Sequence, residues 1–238
     1  MAVWAFVPAA GSGVRMGVMT PKQYLMLHNR PLLWWTLDRL SCQPEVTGVM
    51  VGISADDSHW SDLKWHSGKM IGTVNGGDDR ARTVLNGVEK LLEVGESEDW
   101  VLVHDAVRPC VTNNDISRLI AEVVASECRG GLLGAPIADT IKQVSKHRVR
   151  TTVDRSQLWR ALTPQLFPLG LLHQALSNAI KEGVAITDEA SAVERVGFPP
   201  LMVEGRSDNI KITHPGDLQL AEVILASQES VDRSEEDR

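Results

Sequence analysis

Cysteine and positive charge are both scarce in this chain of 238 residues. The three cysteines, Cys42, Cys110 and Cys128, form no CxxC or Cys/His pattern, so neither a disulfide framework nor a zinc site is predicted. We expect all three to be small buried side chains in a protein of the reducing cytoplasm. Lys and Arg number 24 against 31 Asp and Glu, for a net charge of −7. This acidic balance argues against a protein whose main ligand is nucleic acid or an anionic membrane.

The sequence also lacks an apolar stretch of the ~20 residues that a membrane-spanning helix needs. Residues 3–10 form the apolar N-terminal stretch, and because no basic segment precedes it we predict a strand and no export signal. The hydrophobic fraction is 43% and the charged fraction is 23%, unlike the values of disordered, collagen-like or coiled-coil chains. The composition therefore predicts a folded, enzyme-sized chain.

Short apolar runs alternate with amphipathic helical patterns along the chain. This alternation is typical of an α/β fold in which helices cover a mostly parallel sheet. The predicted strands are residues 3–7, 48–54, 70–74, 100–104, 131–137 and 201–203. The predicted helices begin at Pro31 and behind the capping residues Asp78 and Asp79, and cover 114–125, 169–181, 188–196 and 215–226.

One domain over residues 1–228 is expected, with an acidic, disordered tail over residues 229–238. Within that domain, residues 138–155 alternate in a way that predicts two strands about a turn near residues 145–148. Few of their side chains are apolar, so this ribbon would bury too little surface to be stable alone.

A glycine-rich turn follows the first predicted strand, where residues 8–16 read PAAGSGVRM. Gly11 and Gly13 allow the backbone N–H groups to come close to an anion. Neither glycine starts the GxxxxGK[ST] pattern of a Walker A loop. Met16 breaks the dinucleotide fingerprint, which leaves a nicotinamide-dependent oxidoreductase as a weak alternative.

Two cations, Arg15 and Lys22, stand close behind this turn, and no acidic residue occurs before Asp38. Their charge is therefore not neutralised by neighbours in the sequence. The turn and the two cations together predict a phosphate site.

Six co-linear motifs carry a resemblance to a known family. They are PAAGSGVRM with TPKQ, NGGDDRARTV at 75–84, VLVHDAVRP at 101–109, TVDRSQLWRALTPQLF at 152–167, TDEAS at 187–191 and GRSDNIKIT at 205–213. Together they closely resemble the 2-C-methyl-D-erythritol 4-phosphate cytidylyltransferases, which join CTP to methylerythritol phosphate in the non-mevalonate isoprenoid pathway. The resemblance implies a Rossmann-like nucleotidyltransferase fold, with a central, mostly parallel twisted sheet flanked by helices and a protruding β-arm.

Two alternatives remain beside this family. The related ribitol 5-phosphate cytidylyltransferases share the first glycine-rich motif, PKQ and HDAVRP, but the residues at 152–159 and 187–189 favour methylerythritol phosphate. A non-catalytic nucleotide-binding regulator on the same scaffold is the other alternative. The presence together of Arg15, Lys22, Asp105 and Lys211 argues against it.

The implied reaction needs charge stabilisation more than acid–base chemistry. A phosphate monoester has a second pKa of ~6, so the attacking group is already mostly dianionic and needs no general base. It must attack another anion, which fixed cations and a divalent metal ion make possible. The resemblance assigns transition-state stabilisation to Arg15 and Lys22, and it assigns Mg²⁺ or another divalent cation to Asp105, with Asp208 as a weaker second ligand.

The resemblance also implies two substrate subsites. The residues implied for base and ribose are Pro8, Ala9, Ala10, Gly11, Gly13, Gly77, Asp78, Arg80 and Thr83. The residues implied for methylerythritol phosphate are Asp105, Arg108, Thr140, Arg155, Thr187 and Lys211. In the family the β-arm reaches into a second subunit, so a homodimer is expected in which Thr140 and Arg155 complete the partner's site. His104, which directly precedes Asp105, is interpreted as structural.

Overall fold

The computed structural model describes residues 1–11 and 20–236, and the side chains of the last helix as far as residue 229. Within these residues seven strands form the central sheet: β1 Val3–Pro8, β4 Gly48–Ile53, β5 Met70–Asn75, β6 Trp100–Val103, β7 Gly131–Pro136, β10 Trp159–Pro168 and β11 Leu201–Glu204. Their spatial order is β11-β7-β10-β6-β1-β4-β5. Strand β10 is antiparallel to β6 and β7, and the other pairs are parallel. The predicted α/β architecture is confirmed.

Strand β10 is the one strand of this sheet that the sequence analysis did not predict. It lies between β7 and β6, and it contains Pro164, which has no N–H group to donate to a neighbouring strand. The pairing with β7 shifts register between Ala161 and Gln165, so the proline falls where the ladder is already interrupted.

Six α-helices accompany the sheet in the described residues: α1 Leu32–Ser41, α2 Arg80–Leu91, α3 Asn113–Ala125, α4 Leu169–Lys181, α5 Glu189–Arg195 and α6 Pro215–Glu236. Each corresponds to a predicted helix. They pack on both faces of the sheet, and β1 shows how. Val3, Ala5 and Val7 lie in one core cluster with side chains of α1 and α3, whereas Phe6 lies in a second cluster with side chains of α2, α4 and α5.

Two small hairpins stand apart from the central sheet. One pairs β2 Met26–Leu27 with β3 Arg30–Pro31, and the other pairs β8 Ile141–Ser145 with β9 Arg148–Val153. The second occupies the range predicted for the β-arm. Its turn residues Lys146 and His147 have φ of 49° and 60°, as a two-residue hairpin turn requires. The part that this hairpin plays in a dimer stays a prediction.

Two other expectations concern the chain end and the cysteines. Helix α6 continues to Glu236, and neither Gly nor Pro interrupts it after residue 216. The disorder expected for residues 229–238 stays a prediction. Cys110 is buried as predicted, but Cys128 is only partly buried and Cys42, just after α1, is exposed. Among the helices of the described residues, none is both long enough and apolar enough to cross a membrane.

The contact between α2 and β1 gives a test of the packing. An added Cβ at Gly87 would overlap the ring of Phe6, which is fully buried and has no room to move aside. We expect Gly87→Ala to lower the free energy of unfolding by about 1–3 kcal/mol, measured by urea denaturation, although alanine favours helix. Gly216→Ala is the matched control, because it lies in α6 with open space around it, and it should be neutral or slightly stabilising.

Candidate active site

A cavity of about 420 Å³ lies where β1, β5 and β6 end, a size that suits a small-molecule ligand. Ligands of open α/β sheets bind at the carboxyl ends of the strands, as the sequence analysis expected. The lining residues are Pro8, Ala9, Ala10, Gly11, Lys22, Gln23, Gly77, Asp78, Asp79, Arg80, Thr83, Asp105, Ala106, Val107 and Lys211. Most of the predicted site residues are therefore brought together.

Hydrogen bonds fix the glycine-rich wall of this cavity. The Ala9 N–H group donates to the Gly52 carbonyl at 2.7 Å, and Gln23 Nε2 donates to the Ala9 carbonyl at 2.7 Å. Gln23 is buried and was not predicted as a site residue. It holds the chain after β1 in place, so the backbone that faces the cavity is set before any ligand enters.

The opposite wall is the start of α2. Asp79 is the N-cap, and its side chain accepts from the Arg82 N–H group at 2.7 Å. The Thr83 hydroxyl accepts from the Gly77 N–H group at 3.0 Å and donates to the Asp79 carbonyl at 2.9 Å. Its hydroxyl therefore ties residues 77–83 into one turn. The positive end of the α2 dipole points at this wall, which favours an anionic ligand.

Asp105 is the centre of an ionic network at the end of β6. Its side chain is 8% exposed, and its carboxylate contacts Arg80 Nε at 3.1 Å, Arg108 Nε at 3.3 Å and Lys211 Nζ at 2.9 Å. Burial alone would raise the pKa of Asp105, but Arg80, Lys211 and Arg108 outweigh it and hold that pKa well below the usual range. The carboxylate is therefore ionised and fixed in direction.

Arg80 joins this network to α5. Its guanidinium donates to both oxygens of Glu189, from Nη1 at 2.6 Å and from Nη2 at 3.1 Å. Burial alone would lower the pKa of Arg80, but the two carboxylates raise it, so the guanidinium stays charged. Arg108 lies behind Asp105, where its Nη1 donates to the Asn209 carbonyl at 2.7 Å.

His104 holds the loop that carries Asp105. The Arg108 carbonyl can only accept, so the neutral His104 ring carries its hydrogen on Nε2 and donates it to that carbonyl at 3.1 Å. His104 Nδ1 therefore accepts from the Thr163 hydroxyl at 2.9 Å, and the same hydroxyl accepts from the Asp105 N–H group at 3.1 Å. Both ring nitrogens have hydrogen-bond partners within the protein, as a structural role for this residue requires.

Several predicted site residues lie elsewhere. Gly13 and Arg15 fall outside the described residues. Thr140 and Arg155 are exposed beside the β8–β9 hairpin, Thr187 is exposed before α5, and none of these three lines the cavity.

Glu189 and Thr163 are functional candidates that the sequence reasoning missed. A signal for Glu189 was present, because it stands at helical spacing i, i+3, i+4 with Ala192 and Val193, which are fully buried. An acidic residue on the buried face of a helix needs a cationic partner. Nothing in the sequence near Thr163 indicates its contact with His104, which lies 59 positions away.

The described residues do not form a metal centre of their own. No group of three or more His, Cys, Asp or Glu that could hold a metal ion occurs among them. Both oxygens of Asp105 are engaged by cations, and Asp208 is paired with Arg206 and does not line the cavity. A divalent ion at this site would have to take most of its ligands from phosphate and water.

Comparison with known proteins agrees with this architecture. A sequence model of the 2-C-methyl-D-erythritol 4-phosphate cytidylyltransferase family matches residues 3–227. The chain belongs to this family. A member from Hahella chejuensis is 49% identical over 225 residues, which is 94% of this chain and 92% of that protein. A member from Pseudomonas aeruginosa is 48% identical over 219 residues, which is 91% of this chain and 93% of that protein.

Solved structures of the family have the same fold. The crystal structure of a 4-diphosphocytidyl-2C-methyl-D-erythritol synthase gives a TM-score of 0.82 at 38% identity, covering 94% of this chain and 99% of that one. The Francisella tularensis 2-C-methyl-D-erythritol 4-phosphate cytidylyltransferase gives a TM-score of 0.82 at 35% identity, covering 94% of this chain and 100% of that one. The Rossmann-like nucleotidyltransferase fold expected from the motifs is confirmed.

The buried imidazole predicts how stability depends on pH. Burial lowers the pKa of His104 to about 4, so between pH 6.5 and 4 the unfolded chain takes up a proton that the folded protein excludes. We expect the free energy of unfolding to fall by about 3 kcal/mol from this group as the pH drops through that window. His104→Gln should be less stable at pH 7, yet lose less on acidification. Urea titrations at several pH values measure both, and equal slopes for the two proteins would contradict the assignment.

Proposed function

We propose that this chain transfers CMP from CTP to 2-C-methyl-D-erythritol 4-phosphate, giving 4-diphosphocytidyl-2-C-methyl-D-erythritol and pyrophosphate. The observation that carries the proposal is the cavity at the strand ends, where Lys22, Arg80 and Lys211 arrive from three distant segments of the chain. It lies in a chain that belongs to a cytidylyltransferase family. Cations at the start of a helix are what a nucleoside triphosphate requires.

The chemistry follows from the charges of the substrates. An oxygen of the sugar phosphate attacks the α-phosphorus of CTP, a new P–O bond forms, and the bond from the α-phosphorus to the bridging oxygen breaks to release pyrophosphate. No side chain has to remove a proton, because the attacking phosphate is mostly dianionic at neutral pH. The protein contributes alignment and positive charge near the crowded phosphorus centre.

Lys22 and Arg15 are proposed to stabilise the transition state. Lys22 lines the cavity, directly before the buried Gln23 that fixes the glycine-rich wall. A lysine supplies a compact charge that can follow the α-phosphate as its geometry changes, whereas an arginine supplies a planar fork for two phosphate oxygens. The residues proposed to hold base and ribose are Pro8, Ala9, Ala10, Gly11, Gly13, Gly77, Asp78, Arg80 and Thr83.

Methylerythritol phosphate is proposed to bind beside Asp105. Lys211 lines the same cavity, and Arg108 supports the carboxylate from behind. Thr187 is exposed just before α5 and does not line the cavity, so it could contact the sugar phosphate only from the solvent side of the site. Thr140 and Arg155 stand at the base of an exposed hairpin, which supports the proposal that they complete the site of a second subunit in a homodimer.

We propose that the divalent cation, Mg²⁺ by preference, arrives with CTP and leaves with pyrophosphate. The support is that both oxygens of the Asp105 carboxylate, which lines the cavity, are already engaged by cations. Most ligands of such an ion would be triphosphate oxygens and water, which is common for Mg²⁺. The ion is then part of the nucleotide substrate.

A cytoplasmic location is also proposed. Its support is that all three cysteines are free thiols, including Cys42, which is exposed at the surface. Free thiols are kept in that state by the reducing conditions of the cytoplasm.

Pyrophosphate release tests the proposed activity. The purified chain is assayed with CTP and Mg²⁺, and with methylerythritol phosphate and ribitol 5-phosphate in parallel. We expect rapid release with methylerythritol phosphate and little with ribitol phosphate, because the residues at 152–159 and 187–189 match the methylerythritol phosphate cytidylyltransferases. Faster release with ribitol phosphate would reverse the choice of substrate, and CTP binding without release would indicate a non-catalytic binding protein.

Two controls belong to this assay. EDTA should abolish the release, and added Mg²⁺ should restore it; full activity in EDTA would remove the metal ion from the reaction.

Lys22→Ala should lower turnover on the order of 10²-fold, by analogy with the loss of one oxyanion-type donor. Turnover at the wild-type rate in this variant would contradict the role of Lys22.

The proposed role of the hairpin makes a separate prediction. Arg155→Ala should raise the KM for methylerythritol phosphate on the order of 10-fold and leave the KM for CTP nearly unchanged, because the residue is proposed to contact only the sugar phosphate. Arg150→Ala is the matched control, since Arg150 is an exposed arginine of the same hairpin with no proposed substrate contact. Sedimentation should show a dimer at the assay concentration; a fully active monomer would overturn the dimeric site.

A further inference from the structure

Glu189 is a buried carboxylate at the first position of α5. Its side chain is 1% exposed, and both of its oxygens accept from the Arg80 guanidinium, at 2.6 Å and 3.1 Å. A buried carboxylate costs several kcal/mol of desolvation, which a bidentate arginine can offset. The two residues stand 109 positions apart in the sequence, so only the tertiary fold brings them together.

The backbone around Glu189 is held independently of Arg80. Asp188 is the N-cap of α5 and forms a reciprocal capping box with Ser191. On the other side Gln165, in the central strand β10, donates to Asp188 Oδ2 at 2.9 Å and accepts from the Ala190 N–H group at 2.8 Å. The position of the Glu189 carboxylate is therefore set by β10 and α5.

Arg80 has donors left over after these contacts. A guanidinium carries five N–H donors. One is used by Asp105 and two by Glu189, which leaves two on the terminal nitrogens. The Arg80 side chain is 30% exposed and lines the cavity.

Asp105 alone would not fix the direction of this fork. It accepts a single hydrogen bond from Arg80 Nε, and it shares its second oxygen between Arg108 and Lys211. One hydrogen bond leaves the guanidinium plane free to rotate, whereas the bidentate contact with Glu189 defines that plane.

We propose that Glu189 is a positioning residue for nucleotide binding. It fixes the plane of the Arg80 guanidinium, so that a remaining N–H group is directed at CTP. The inference rests on the proposed function, because it takes the ligand of the cavity to be CTP. It assigns to Glu189 a role exerted through Arg80 and no contact with either substrate.

Steady-state kinetics of Glu189→Gln test this role. The amide loses the negative charge and keeps only one acceptor oxygen, so Arg80 is held by one contact in place of two. We expect the KM for CTP to rise on the order of 10-fold, with kcat and the KM for methylerythritol phosphate changed by less than about 3-fold. Glu182→Gln is the matched control, because Glu182 pairs with Arg195 on the exposed side of α4 and α5, and it should leave all three constants unchanged.

Two further variants separate positioning from a general loss of structure. A partly unfolded preparation lowers the apparent kcat with the folded fraction and leaves the KM for CTP as it was. Glu189→Asp keeps the charge on a side chain shorter by one methylene, so it should recover part of the affinity for CTP. In an Arg80→Lys background, Glu189→Gln should add less than about 2-fold to the KM, because the fork that it positions is already gone.

Calorimetric binding of CTP in the absence of the sugar phosphate makes the outcome independent of turnover. A Kd for CTP about 10-fold weaker in Glu189→Gln than in the wild type supports the inference even if neither sugar phosphate is a substrate, a result that would refute only the proposed function. Equal CTP affinity in the two proteins, or a wild type that does not bind CTP, would overturn the inference.

Discussion

The carboxylate of Asp105 is the group on which the arrangement of the site depends. It is nearly buried, so its charge is tolerated only because Arg80, Arg108 and Lys211 surround it. These partners come from α2, from the loop after β6 and from the segment after β11. Glu189 adds α5 through Arg80. Removing any one partner would leave a buried charge poorly compensated, so the electrostatics hold these elements in one relative position.

This network lies where the sheet topology already favours an anion. Strands β1, β5 and β6 end on one side of the sheet, and α2 begins there with its positive dipole end at the cavity. Backbone hydrogen bonds to Gly52 and from Gln23 hold the glycine-rich wall. Preorganised donors of this kind cost little reorganisation when charge develops on a phosphate, which is the main requirement of a nucleotidyl transfer.

Local patterns explain which parts of the fold could be predicted. Buried parallel strands are continuous apolar runs, and helices carry apolar stripes behind capping residues such as Asp79. Strand β10 was not predicted, because Pro164 argues against a central strand. The register shift that accommodates this proline is a property of the pairing with β7.

Local sequence patterns are enough to predict the α/β class, the positions of most elements and the glycine-rich turn, because periodicity, capping and turn chemistry act between near neighbours. The other motif residues that face the cavity were implied by the family resemblance. Only the folded chain shows that Asp105 contacts three cations, that Glu189 pairs with Arg80, and that the Thr163 hydroxyl bonds to His104. It also left Thr140, Arg155 and Thr187 outside the cavity. The physical reason is that the energy of a buried charge or hydrogen bond depends on partners far along the chain, which no local pattern contains.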